Sequence, residues 1–207
     1  MDPSPRNRPS IAPPTSGANL APEANAAMNE AYEQAIAYLY GRINYERTAD
    51  TVPYPFRLRR MSELLDCLDL RGVAGADIPV VHIAGTKGKG STSSMVASML
   101  TAGGFRTGLY TSPHLVRLEE RFTVDGQLAQ PQTVVDLVQS IRGEVDRMAA
   151  TDLGSPTFFE VVTAMALMHF RNSGCQAVVL EVGLGGKLDS TNVCIPAVTA
   201  ITSIGFD

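Results

Sequence analysis

The stretch Pro79 to Leu100, PVVHIAGTKGKGSTSSMVASML, constrains the chain more than any other, because it reads as a buried strand, a glycine-rich turn and a helix in immediate succession. Val80 to Ala84 is a short apolar run rich in β-branched residues. From Lys89 the spacing turns helical, with Met95, Val96, Met99 and Leu100 expected on one buried face. Between them stand Gly85, Thr86, Lys87, Gly88, Lys89, Gly90 and Ser91. That order is the architecture of a phosphate cradle. A polyphosphate needs backbone N–H groups close to its oxygens, and glycine allows both the unusual φ and the close approach. The helix N-terminus adds unpaired donors and partial positive charge, and Lys89 is placed to reach the outer phosphates.

The usual string for such a loop is GxxxxGK followed by Ser or Thr, and this segment departs from it twice. Gly90 stands where the metal-binding hydroxyl normally sits, and Gly85 is only three residues before Gly88. A glycine-rich turn without a ligand is the plainer alternative. The strand before, the helix after and the Gly-Lys-Gly-Ser core favour a nucleotide phosphate site.

A chain of 207 residues, 44% hydrophobic and 18% charged, can bury a full α/β core as one domain. A net charge of −4 without any Lys/Arg cluster gives no footprint for nucleic acid or an anionic membrane. Cys67, Cys175 and Cys194 are odd in number and form no CxxC pair, which fits reduced thiols and a cytoplasmic location. Residues 1–27 hold six prolines and no apolar period and are expected to be a disordered tail. No signal sequence and no run of about 18 apolar residues is present, so no membrane span is expected. The helices expected over 28–40 and 58–70 are separated by a Pro-containing loop over 43–56.

Beyond the cradle, Thr107 to Tyr110 reads as a strand stopped by Ser112-Pro113, leaving Ser112 at a strand carboxyl end, where open parallel sheets place their ligands. His114 is expected to be a loop residue rather than a ligand. A hairpin is expected around Asp125-Gly126, then a helix from Pro131 to about Ala149. Thr157 and Glu160 form a capping box opening a buried helix through about Phe170, which explains that pair without a ligand. Gln176 to Glu181 reads as an apolar strand, AVVLE at its core, that ends in a carboxylate, the hard oxygen donor a magnesium–ATP site requires. The GLGGK string after it is no dinucleotide fingerprint, because Leu188 occupies the place of the third glycine. A last strand is expected over 197–204.

Taken together, GTKGKGS at 85–91, TSPHLVRLEER at 111–121, TFFE at 157–160 and LEVGLGGKLDSTN at 180–192 resemble, in the same order, the Mur ligase superfamily, in its folylpolyglutamate synthase and dihydrofolate synthase branch of the bifunctional bacterial type. The resemblance implies an α/β fold, with a mostly parallel β-sheet flanked by helices and a P-loop (the Mur ligase central-domain type), over residues 28–207. It implies an ATP- and Mg²⁺-dependent monomeric amide ligase that joins L-glutamate to dihydropteroate or a folyl-glutamate through an acyl phosphate. Lys89 and the turn Gly85, Thr86, Lys87, Gly88, Gly90 and Ser91 would hold ATP, with Ser112 and Glu181 as metal ligands. Thr157, Phe158, Phe159, Glu160, Leu188, Asp189 and Ser190 would line the pterin side, the two phenylalanines by stacking. The family continues past this place with a histidine metal ligand and a second α/β domain, so the chain is expected to be an amino-terminal part, inactive by itself. A GTPase-like switch, a small-molecule kinase and a non-catalytic binding domain are the rival classes. Against the first, no Asn-Lys-x-Asp motif occurs.

Overall fold

The computed structural model describes residues 22–44 and 58–205, so residues 1–21 of the tail expected over 1–27 and residues 45–56 of the loop expected over 43–56 lie outside the described residues. The first helix, α1, runs Pro22–Tyr40 and takes in residues 22–27 of the expected tail. Proline is tolerated in a first turn, and Ala24, Ala26 and Ala27 propagate a helix without needing an apolar face. Helix α2, Leu58–Cys67, stops short of Leu70 because the chain turns through Asp69 at φ 54 into a π-type turn over Gly72–Ala76.

The strands are β1 (Val80–Ala84), β2 (Thr107–Tyr110), β3 (Phe122–Val124), β4 (Gln127–Leu128), β5 (Ala177–Glu181) and β6 (Val198–Ile201). They form one sheet in the order β4-β3-β2-β5-β1-β6. The four strands β2, β5, β1 and β6 are mutually parallel, and the hairpin adds the antiparallel β3 and β4. Helices α3 (Lys89–Ala102), α4 (Pro131–Ala149) and α5 (Phe158–Asn172) complete the described elements, with short 3-10 turns at Leu118–Arg121 and Ser190–Val193.

Alternation along the strands divides the core. Val80, Tyr110, Val178 and Leu180 join the large cluster built with α1, α2, α4 and α5, whereas Ile83 and Val179 face α3 in a smaller one. On α4 the expected side, Val134, Val135, Leu137, Val138, Ile141 and Val145, is buried. On α3 the buried stripe is different from the expected one. Ser93 and Ala97 are buried with Val96 and Leu100 packed beside them, while Met95 and Met99 are 58% and 65% exposed. Positions 93, 96, 97 and 100 follow the i, i+3, i+4, i+7 spacing, and the small residues let α3 lie close on the sheet. Side-chain size pointed the sequence reading one residue off the true face.

This topology brings the carboxyl ends of β2, β5 and β1 side by side, the place where parallel sheets of this type present their ligand loops.

Candidate functional site

The turn leaving β1 has Gly85 at φ +136 and Gly88 at φ +81, the latter capping α3. Both values lie in the region that penalises any side chain. A Cβ on Gly85 would also run into the Thr202 hydroxyl. The segment after β6 straps the turn from outside: Thr86 N–H donates to Ser203 O at 2.8 Å and the Thr202 hydroxyl donates to Lys87 O at 2.8 Å. Nothing in the sequence pattern singled out Thr202. Lys87 and Ser91 are exposed. The Lys89 ammonium is folded onto its own turn, donating to Gly85 O at 2.8 Å and Thr86 O at 3.4 Å, so its charge sits at the mouth of the cradle.

Glu181 ends β5 at 5% exposure, with burial holding its carboxyl above the ordinary glutamate range against the pull of the Ser112 amide and the Lys89 charge. Its Oε2 accepts the Ser112 N–H at 3.0 Å. A Cβ built on Gly90 would stand 3.5 Å from both Glu181 oxygens. The missing side chain at 90 therefore leaves the carboxylate open toward the first turn of α3. Glu181, Ser112 and the adjacent pair Lys89 and Gly90, from three places far apart in sequence, meet here. The donor set fits a small hard cation beside a polyphosphate: one buried carboxylate, one hydroxyl-bearing residue bonded to it, and a glycine that leaves room for ligand oxygens. Among the described residues no group of three His, Cys, Asp or Glu side chains forms a complete metal cage.

The turn carrying Ser112 is braced from behind. Glu120 Oε2 accepts the Leu115 amide at 2.8 Å, and Oε1 accepts those of Val116 and Arg117 at 3.1 and 2.9 Å. These bonds hold the Glu120 carboxyl below the ordinary range. His114 is a loop residue, as expected: its Nδ1 accepts Arg121 Nε–H at 2.7 Å, leaving Nε2–H to face the Tyr40 hydroxyl at 3.1 Å.

The residues expected on the pterin side separate into two groups. Thr157 and Glu160 form the expected capping box, but Glu160 is also clamped by Arg60, whose Nε lies 3.0 and 2.9 Å from its two oxygens. Arg60 was not singled out in the sequence, since nothing local marks a partner a hundred residues away. Phe158 is fully buried, stacked on Tyr40 at 5.3 Å with the Arg121 guanidinium over its ring at 5.2 Å, so it is a core residue and not a stacking platform. Phe159 is only partly buried, with its ring against Gly183, in the turn after Glu181, and 5.9 Å from the Tyr110 ring. Leu188 is 46% exposed, whereas Asp189 and Ser190 are buried.

No protein-family model matches the chain. The chain is 36% identical over 181 residues to the dihydrofolate synthase/folylpolyglutamate synthase of Bacillus subtilis, a match covering 87% of this chain and 40% of the relative. Among solved structures it superposes on Mycobacterium tuberculosis folylpolyglutamate synthase complexed with ADP at TM-score 0.76 and 34% identity, over 87% of this chain and 38% of that one. An FPGS–AMPPCP–folate complex matches at TM-score 0.75 and 32% identity, over 85% and 41%. The chain thus spans well under half the length of the proteins it matches. With its parallel sheet, its strapped glycine turn and this similarity across nearly all the described residues, the chain is homologous to the amino-terminal part of folylpolyglutamate synthases and dihydrofolate synthases and shares their Mur ligase-type fold.

Proposed function

We propose that the protein carrying these residues is an ATP-dependent ligase that adds L-glutamate to dihydropteroate, to a folyl-glutamate or to both. The observation that carries the reading is the meeting of Glu181, Ser112, Gly90 and Lys89 at the ends of three adjacent parallel strands. The relatives' names and the ADP and AMPPCP–folate complexes agree with it. Cys67, Cys175 and Cys194 are free thiols, in keeping with a cytoplasmic enzyme.

In this reading the substrate carboxylate attacks the γ-phosphorus of ATP, releasing ADP and forming an acyl phosphate. The amine of glutamate then attacks the acyl carbon, the C–O bond to phosphate breaks, and amide and inorganic phosphate leave. Such chemistry needs alignment and charge neutralisation more than a protein nucleophile. The amides of 85–91 and Lys89 bind and orient the outer phosphates. Glu181 and Ser112 would hold the magnesium ion, which when bound offsets phosphate charge. Phe159 would border the heterocycle of the acid substrate. The test is incorporation of labelled L-glutamate into an amide of dihydropteroate or folate. Incorporation is expected only with ATP and magnesium present; ADP release independent of glutamate would favour a kinase or switch instead.

A further inference from the structure

Five consecutive carbonyls around the glycine turn all have protein partners. Ala84 O accepts the Thr202 N–H at 2.9 Å, Gly85 O and Thr86 O accept the Lys89 ammonium, Lys87 O accepts the Thr202 hydroxyl at 2.8 Å, and Gly88 O accepts the Thr92 N–H at 3.0 Å. Carbonyl oxygens repel the oxygens of a phosphate, so a cradle works only where they are held off it. A trans peptide points its C=O and the next N–H in opposite directions. Pinning Lys87 O to the segment after β6 therefore turns the Gly88 N–H to the other side of the turn. Gly88 caps α3, so its amide leads the row of donors at that helix N-terminus.

We propose that Thr202 is a positioning residue of the cradle, its hydroxyl fixing the Lys87–Gly88 peptide so that the N–H of that peptide meets the phosphate. The proposal rests on the reading of 85–91 as a polyphosphate site. Strands β6 and β1 stay in parallel register as far as Ala84 opposite Ile201, which sets half-buried Thr202 beside the first residue of the turn. Gly85 lacks a side chain at the place where a Cβ would strike that hydroxyl. Lys89 is a provisional partner, because to reach a phosphate it must leave Gly85 O and Thr86 O. The bonds from Thr202 and Ser203 do not face that conflict and keep the turn in shape while the lysine moves. Ser203 acts mainly through its backbone: its carbonyl accepts the Thr86 N–H at 2.8 Å, whereas its hydroxyl stands 3.3 Å from Lys87 O.

Thr202→Val keeps the branched shape beside β6 and removes only the hydroxyl. Calorimetric titration of ATP into the purified chain should show affinity about 3- to 10-fold weaker in Thr202→Val and near wild type in Thr202→Ser, which keeps the donor. Equal affinity in Thr202→Val overturns the proposal. Ser203→Ala should bind as wild type does, and a loss there equal to that of Thr202→Val also overturns it. Hydrogen exchange of the ligand-free chain gives a readout without nucleotide: the Thr86 amide should exchange about 3- to 10-fold faster in Thr202→Val, and an unchanged rate means that the hydroxyl does not hold the turn. In the protein carrying these residues, Thr202→Val should raise KM for ATP by the same factor and leave KM for L-glutamate unchanged. A lower melting temperature with KM for ATP unmoved would make Thr202 a residue of the fold alone and overturn the proposal. Lys89→Ala run alongside separates the two claims. If it leaves ATP affinity intact, the cradle reading fails, and the Thr86 exchange rate still decides whether Thr202 sets the turn; if it weakens binding while Thr202→Val does not, the proposal fails alone.

Discussion

Gly90 has no side chain and Glu181 has almost no exposure, and at the scale of single residues these facts belong together. A Cβ at position 90 would already stand in van der Waals contact, 3.5 Å, with both oxygens of the carboxylate that β5 aims at the same spot, so a side chain there would take up room beside it. Glu181→Gln should keep the fold yet lower turnover by more than about a hundredfold, since even groups that only hydrogen-bond a metal's ligands are worth about 10- to 100-fold. Initial rates of ADP release against magnesium concentration check it, and near-wild-type rates at saturating metal would reject it. Glu181 and Ser112 were legible in the sequence because strand ends are legible: an apolar run closing in an acid, and a proline that stops a strand. The inward turn of Phe158 was not, because adjacent letters in a motif do not say which side chain turns inward. Phe158 and Phe159 share a helix start, yet only Phe159 lies on the open side.

Between elements, Arg60 of α2 and Glu160 of α5 make a buried ion pair with side chains 6% and 2% exposed. Arg60→Ala leaves the Glu160 charge buried against Thr157 alone and should cost about 3–5 kcal/mol of stability. Urea denaturation measures it, and the double substitution Arg60→Met with Glu160→Leu should lose much less. On β2, a Cβ at Gly108 would stand 2.6 Å from the Phe170 ring, so Gly108→Ala should cost about 1–3 kcal/mol by overpacking. A thermal shift near zero would contradict the close approach of α5 to the sheet. The elements themselves were mostly legible from period and turn residues, as with Asp125-Gly126 for the hairpin and Pro131 for α4. The face of α3 was not, because its stripe is made of small residues that carry little hydrophobic signal.

For the molecule as a whole, strand order does what no local motif can: it puts the ends of β2, β5 and β1 in one row. It also buries histidines. Burial depresses His82 below its ordinary value of 6.5, and burial followed by the Arg106 charge depresses His169. The unfolded chain therefore takes up these protons first, so stability is full above the ordinary histidine range and is lost as pH falls through it. The melting temperature should drop between about pH 7.5 and 5.5, and should drop less in His169→Gln. Identical profiles for the two proteins would remove His169 from the account. The central claim is that the turn 85–91 is a polyphosphate cradle, and calorimetric titration of ATP into the protein and its Lys89→Ala variant tests it most directly. Loss of a charge-assisted phosphate contact worth about 1.5–3 kcal/mol should weaken binding by roughly 10- to 150-fold, whereas equal affinity in the two proteins would contradict the assignment.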